Sequence, residues 1–157
     1  MKNAKNNPGV FIPPPLFYAA LFFLSILLNR YFPISHDFFQ TPVLHIGGAI
    51  IIVLGHIMTV PALRQFFKTK NTLITVKPAT SLQTDGIYSV SRNPMYLGLL
   101  FIYLGFALIF GNWWTIILLP VLFILVNYLI ILPEEKYLIR AFGNSYSDYK
   151  KTVRRWI

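Results

Sequence analysis

Between Val43 and Leu63, and again between Trp113 and Leu132, no Asp, Glu, Lys or Arg interrupts the sequence. Each run meets the roughly 20 apolar residues that a helix needs to cross a bilayer. Two shorter apolar runs accompany them, about Pro15 to Phe32 and Pro94 to Phe110. The expected fold is an all-α integral membrane protein with about four transmembrane helices, at 15–32, 43–63, 94–110 and 113–132. An ordered cytoplasmic loop at 64–93 and a cytoplasmic tail at 133–157, with helices of its own, complete a single membrane domain over 1–157. The composition agrees. The chain is 55% hydrophobic and 12% charged, against about a quarter charged in ordinary soluble domains.

The charges that remain are ordered. Fourteen Lys and Arg face five Asp and Glu, a formal net charge of +9. With so much apolar sequence, this balance points to anionic lipid rather than nucleic acid. Positive residues lie at Lys2 and Lys5, then at Arg30 with Asp37 in the first loop, then in the second loop (Arg64, Lys68, Lys70, Lys77, Arg92, against Asp85), then in the tail (Lys136, Arg140, Lys150, Lys151, Arg154, Arg155). The short "GNWW" turn carries none. Alternation of this kind places both termini in the cytoplasm and sets Trp113 and Trp114 at the far interface, where aromatic belts form. The basic start and apolar run imitate a signal peptide, but no small-residue cleavage site follows. A retained helix is expected, led in by "FIPPP" with Pro15 as its first residue. The chain has no cysteine, which removes disulfides, thiolate metal sites and Cys nucleophiles.

Several local features carry further expectations. Pro120 should kink the fourth span. Gly48 and Gly55, a heptad apart beside Gly47, should permit close helix packing. In the second loop, "TLITV" and "GIYSVS" have extended character, and Asp85-Gly86 is a turn pair. In the tail, Pro133 reads as a first helical residue, with Glu134 and Glu135 in its first turn. Gly143 reads as a stop, and Ser145 with Asp148 as an approximate capping box. Tyr146, Tyr149, Val153 and Trp156 would share one face of the last helix. His45 and His56 share a face of the second span. With no carboxylate nearby they are read as interhelical hydrogen-bonding groups rather than metal ligands, as is Asn127, and no metal site is expected.

The stretch "SVSRNPMYLG" concentrates the chemistry. Asn93 is a good N-cap and Pro94 a good first helical residue. The free N–H groups from Met95 onward then point back toward Arg92, an arrangement suited to a phosphate or carboxylate. The third span crosses, turns at Gly111-Asn112, and the fourth returns to Glu134 and Glu135. Arg92 and the glutamates therefore meet at one membrane face. Arginine with a helix start can hold a carboxylate, and a glutamate can hold an ammonium or a ribose diol. S-adenosylmethionine carries all three, and its sulfonium would suit the faces of Tyr88 or Tyr96. Many zwitterions share that pattern, and the same residues also fit a bland reading in which the glutamates cap a helix and Arg92 touches lipid phosphate.

Beyond this physical reading, the motif resembles the isoprenylcysteine carboxyl methyltransferase family and the related membrane phospholipid methyltransferases. Their pattern is Arg-His-Pro-x-Tyr, a hydrophobic hairpin, then Glu-Glu. Here it reads Arg92-Asn93-Pro94-Met95-Tyr96, then Glu134-Glu135. "EEKYLIRAFGNSYSDYKKTV" resembles the family's ending, and "KPATSLQTDGIY" the loop of prokaryotic members. The resemblance covers about Lys77 to Trp156, with Asn93 departing from the usual His. It implies S-adenosylmethionine as cofactor, held by Tyr88, Arg92, Asn93, Pro94, Met95, Tyr96, Gly98, Glu134, Glu135, Tyr146 and Tyr149. Gly98 would also allow close helix approach, and Arg154 would orient the acceptor as the catalytic residue. The implied reaction is methyl transfer to a lipophilic or prenylated acceptor entering from the bilayer, at a prokaryotic inner membrane. A carboxylate acceptor is favoured because it is already ionised at neutral pH. Phospholipid N-methylation, a nicotinamide-dependent membrane reductase and a non-enzymatic membrane protein are the alternatives.

Overall fold

A computed structural model describes residues 9–10, 12–68 and 81–157. "TLITV", Lys2, Lys5, Lys70 and Lys77 lie outside the described residues. Among the described residues six α-helices follow in order: α1 (Pro14–Tyr31), α2 (Pro42–Lys68), α3 (Pro94–Phe110), α4 (Trp113–Val126), α5 (Leu132–Phe142) and α6 (Asn144–Thr152). There is no strand among the described residues. Two stretches are long and apolar enough to cross a membrane, Pro42–Lys68 and the continuous helical run Trp113–Phe142, while α3 is a shorter apolar helix. Helix α1 begins at Pro14, one residue before the expected Pro15, and α2 runs five residues past Leu63 to Lys68 with Pro61 inside it.

Helix α3 is the centre of the bundle, packed on α1, α2 and α4. Its seam with α2 is made by glycines. A Cβ on Gly55 would stand 2.6 Å from the carbonyl oxygen of Gly98, and one on Gly105 would stand 2.7 Å from that of Gly48. The heptad spacing on α2 is thus matched by Gly98 and Gly105 on α3, and the backbones meet where side chains would hold them apart. On its outer side α2 exposes Val43, Ile46, Ile50, Val53 and Ile57. An apolar stripe of this length facing outward is what lipid, and not water, accommodates.

The far end is closed by polar contacts. Gly111 takes a left-handed conformation (φ 61°) to end α3, and Asn112 caps α4 by accepting the Trp114 N–H at 3.0 Å. The Asn112 amide donates to the Ser25 carbonyl (3.2 Å), and the Ser25 and Thr115 hydroxyls lie 2.8 Å apart, which ties α1 to α4. Trp113 and Trp114 donate to the carbonyls of Ser35 and Phe32.

Three local expectations are corrected. Pro133 is not the first residue of α5, which begins one residue earlier at Leu132 and continues from α4 without a break. It has no N–H for the carbonyl four residues back, and the chain absorbs it in a π-helical turn at Asn127–Ile131, where the Leu132 N–H bonds the Asn127 carbonyl. "GIYS" is not extended. Gly86 (φ 60°) redirects the chain into a short 3₁₀ turn, fixed by the Ser89 hydroxyl on the Gly86 carbonyl at 2.7 Å. Ser145 caps nothing, because α6 begins at Asn144 directly after Gly143 (φ 53°), and Asp148 pairs with Lys151 instead. The two histidines also differ from expectation. His45 is exposed, and His56 bonds the Ile52 carbonyl of its own helix.

Gly55→Ala should lower the unfolding temperature in detergent, at a cost of about 1–3 kcal/mol from forced backbone separation. Gly47→Ala, with nothing within 4 Å of the added carbon, should leave it unchanged or raise it.

Candidate functional site at the Arg92–Glu135 end of the bundle

The α3–α4 hairpin returns the chain to its starting end, and Arg92 meets Glu135. The Arg92 Nη1 to Glu135 Oε1 distance is 2.8 Å, with the two side chains 8% and 7% exposed. A buried ion pair is stable only when its remaining donors and acceptors are also met. Here a second guanidinium does this. Arg155 forks onto the same carboxylate, Nε to Oε1 at 3.0 Å and Nη2 to Oε2 at 2.7 Å. Its Nη1 donates to Asn127 Oδ1 at 3.4 Å, so Asn127 bonds the tail rather than another span. The hydrogen bond to Glu135 is the first cause that raises the pKa of Arg155 above its ordinary value.

Glu134 faces another way. Successive residues on a helix point about 100° apart, and Glu134 accepts from the Tyr96 hydroxyl, 2.9 Å to Oε1 and 3.1 Å to Oε2. Tyr96 is fixed in turn by Tyr18 of α1, whose hydroxyl donates to the Tyr96 carbonyl at 2.9 Å. Tyr18 is a contributor the sequence reading did not find. Nothing in the local pattern of α1 distinguishes it from the surrounding aromatic residues.

The segment before α3 and the end of the chain are bonded to each other. The Arg92 N–H donates to the Arg154 carbonyl at 3.0 Å. The Asn93 amide and the Ser91 hydroxyl both donate to the Arg155 carbonyl, at 3.0 and 3.3 Å. Asn93 stands at the N-cap position but makes no capping bond with its side chain. Its amide is engaged by the tail instead. Tyr149 donates to the Tyr88 carbonyl at 2.6 Å, and Arg92 Nη1 donates to the Tyr146 hydroxyl at 3.3 Å.

Burial and then the charge of Glu135 push the Tyr146 hydroxyl up to about 12, against the lowering effect of Arg92. Burial also raises Tyr149, with Tyr146 adding to it, and raises Tyr88, with Glu134 and then Tyr149 adding. All three stay protonated at neutral pH, as hydrogen-bonding phenols rather than phenolate bases.

The residues expected from the sequence therefore divide. Arg92, Glu135 and Tyr146 form one cluster and Tyr96 with Glu134 a neighbouring pair, while Tyr88 and Tyr149 bond alongside. Pro94 is the buried first residue of α3. Met95 packs with Ala62 and Tyr88. Gly98 faces Gly55 and Thr59 of α2, which makes it a packing residue rather than a lining of the ion-pair cluster. Arg154 is the main correction. Its side chain is exposed, and only its carbonyl touches the cluster. Helix α6 ends at Thr152 and Val153 is extended (φ -120°, ψ 132°). An extended chain alternates its side chains, so Val153 and Arg155 turn inward and Arg154 outward. Reading the last helix through to Trp156 hid that alternation. Trp156 leaves the tyrosine face and packs on Phe123 of α4, ring centroids 5.0 Å apart.

The donor set fits a zwitterion. Arg92 Nε is buried without a hydrogen-bond partner among the described residues, and Glu134 has a single partner side chain. A carboxylate on the first and an ammonium or diol on the second would complete both.

A family model described as phospholipid methyltransferase matches residues 43–145. The chain is 38% identical over 72 residues to the protein-S-isoprenylcysteine O-methyltransferase of Schizosaccharomyces pombe, covering 46% of this chain and 30% of that one. It is 29% identical over 110 residues to the enzyme of the same name from Saccharomyces cerevisiae, covering 68% and 45%. An uncharacterized protein of Haemophilus influenzae is matched over its whole length, at 40% identity over 63 residues. The chain thus spans less than half the length of the two yeast enzymes. No solved structure matches it.

Glu135→Ala would leave two guanidinium groups without their buried partner, and should cost about 3–5 kcal/mol in detergent unfolding. Arg154→Ala, at an exposed side chain, should fall within about 0.5 kcal/mol of the unaltered protein.

Proposed function

Since the chain belongs to the phospholipid methyltransferase family, we propose that it is an integral membrane methyltransferase that uses S-adenosylmethionine to methylate a lipophilic acceptor, foremost a hydrophobic or isoprenylcysteine-like carboxylate. In this reading α1, α2, α3 and the α4–α5 run cross the bilayer with both termini cytoplasmic, in a prokaryotic inner membrane. The outward apolar stripe of α2 and the basic tail support that arrangement.

The observation that carries the proposal is the buried Arg92 with its unpartnered Nε beside a tyrosine-held Glu134. S-adenosylmethionine would supply an electrophilic methyl group on a sulfonium. Arg92 and the first N–H groups of α3 would hold the methionyl carboxylate. Glu134, oriented by Tyr96, would hold the ammonium or the ribose hydroxyls. Tyr88, Tyr146 and Tyr149 wall the site as neutral phenols. An acceptor carboxylate needs no base, only positioning and exclusion of water, and its apolar part would arrive through the bilayer. The family's description favours one second reading, N-methylation of a phospholipid amine, which would require the chain to remove a proton first. The family match supports a methyltransferase over the reductase and non-enzymatic alternatives.

Purified protein should bind S-adenosylmethionine in calorimetry and transfer radiolabel from it to a farnesylated cysteine derivative in vesicles. Arg92→Ala and Glu134→Gln should each weaken that binding about tenfold or more, the scale of losing a hydrogen bond to a charged group. Label appearing in phosphatidylethanolamine instead would select the amine reading. Binding unaltered in both variants would remove the site as assigned.

A further inference from the structure

Resting on that functional reading, the geometry points to Arg155 as a positioning residue that acts through Glu135 to keep the Arg92 guanidinium available for the cofactor's carboxylate. Glu135 carries one negative charge, and two guanidinium groups compete for it. Arg155 approaches as a fork and reaches both oxygens, while Arg92 reaches one oxygen through one nitrogen. The forked arrangement is the stronger of the two. Two positive charges against one negative leave a surplus of one positive charge in the triad. That surplus falls on the guanidinium with the weaker hold, which is Arg92, and there the buried Nε has no partner.

Removal of Arg155 would free Glu135 to take a full fork from Arg92. The surplus charge would vanish, and the donor that faces the anion would be drawn away. Arg155 is well fixed for this task. Asn127 accepts from its Nη1, its carbonyl accepts from Asn93 and Ser91, and the neighbouring Trp156 packs on Phe123. The tail therefore sets how far Glu135 offsets the charge of a residue in the motif before α3. Arg155 itself, with its fork spent on Glu135, has no role in touching the reacting atoms.

The test uses full-length protein in detergent, titrated calorimetrically with S-adenosylmethionine and, separately, with its decarboxylated analogue. Arg155→Gln should weaken S-adenosylmethionine about tenfold, as removal of an outer-shell partner does, and leave the affinity for the analogue unchanged. Arg155→Lys keeps the charge and loses the fork. It should show a smaller loss, again confined to the carboxylated ligand, and it serves where the Gln variant fails to fold. Equal weakening of both ligands would mean that Arg155 only holds the fold, and would overturn the inference. Unchanged binding of both would overturn it too. Failure of the unaltered protein to bind S-adenosylmethionine would instead bring down the functional reading, and this inference with it.

Discussion

Glu135 brings a full negative charge to a place where its side chain is only 7% exposed, and much of the molecule is arranged around that fact. A buried carboxylate is tolerated only when its acceptor sites are filled by fixed donors. One donor, Arg92, comes from the segment before α3. The other, Arg155, comes from the last residues of the chain. Neither can reach Glu135 unless α3 and α4 form a closed hairpin of matching length and the tail folds back beneath it. The ion pairs thus report on the whole Arg92–Glu135 end of the bundle: the Asn93 and Ser91 bonds to the Arg155 carbonyl and the Arg92 N–H bond to the Arg154 carbonyl hold the donors where the charge requires them.

The bundle supplies the rigidity that such a cluster needs. At the α2–α3 seam, four glycines let two backbones touch, which spreads dispersion contacts along the helices without relying on water to drive them together. At the opposite end, the Ser25–Thr115–Asn112 contacts join α1 to α4 in a region where any unpaired polar group is costly. Tyr18 connects this scaffold to the site, since its hydroxyl bonds the carbonyl of the same Tyr96 that orients Glu134. A residue on α1 therefore bears on the site although it lies far from the motif in sequence.

What the sequence makes legible follows from the range of the forces involved. Apolar runs, the Gly111-Asn112 turn and the pairing of Arg92 with the glutamate doublet are set by local composition and by simple helix length, and these expectations meet the geometry. The heptad of Gly48 and Gly55 likewise points to a close seam, and Gly98 to a close approach, although only three dimensions pair Gly55 with Gly98 and Gly48 with Gly105. The failures have a common origin in tertiary bonding that overrides a local preference. Asn93 is a good cap by type, but its amide has a stronger demand from the Arg155 carbonyl. Ser145 and Asp148 have capping spacing, but the helix starts before them. Arg154 and Arg155 are equivalent in composition, and only the end of α6 at Thr152 decides which of them turns inward.

The π-helical turn at Asn127–Ile131 leads into the glutamate doublet, whose two members have different partners. The helix carries Pro133 just after that turn, and residues 134 and 135 follow about 100° apart around its axis. Adjacent residues then cannot face the same partner. Glu135 turns to the two arginines and both its oxygens are taken. Glu134 turns to α3, where the Tyr96 hydroxyl is its one partner side chain. A carboxylate offers about four acceptor positions, so Glu134 retains capacity that Glu135 has lost. The two neighbouring acids thus hold different positions: one is bonded by both arginines, and the other keeps acceptor capacity beyond its bond from Tyr96. That separation is why the proposed ligand contacts fall on Arg92 and Glu134, and the proposed electrostatic support on Glu135 and Arg155.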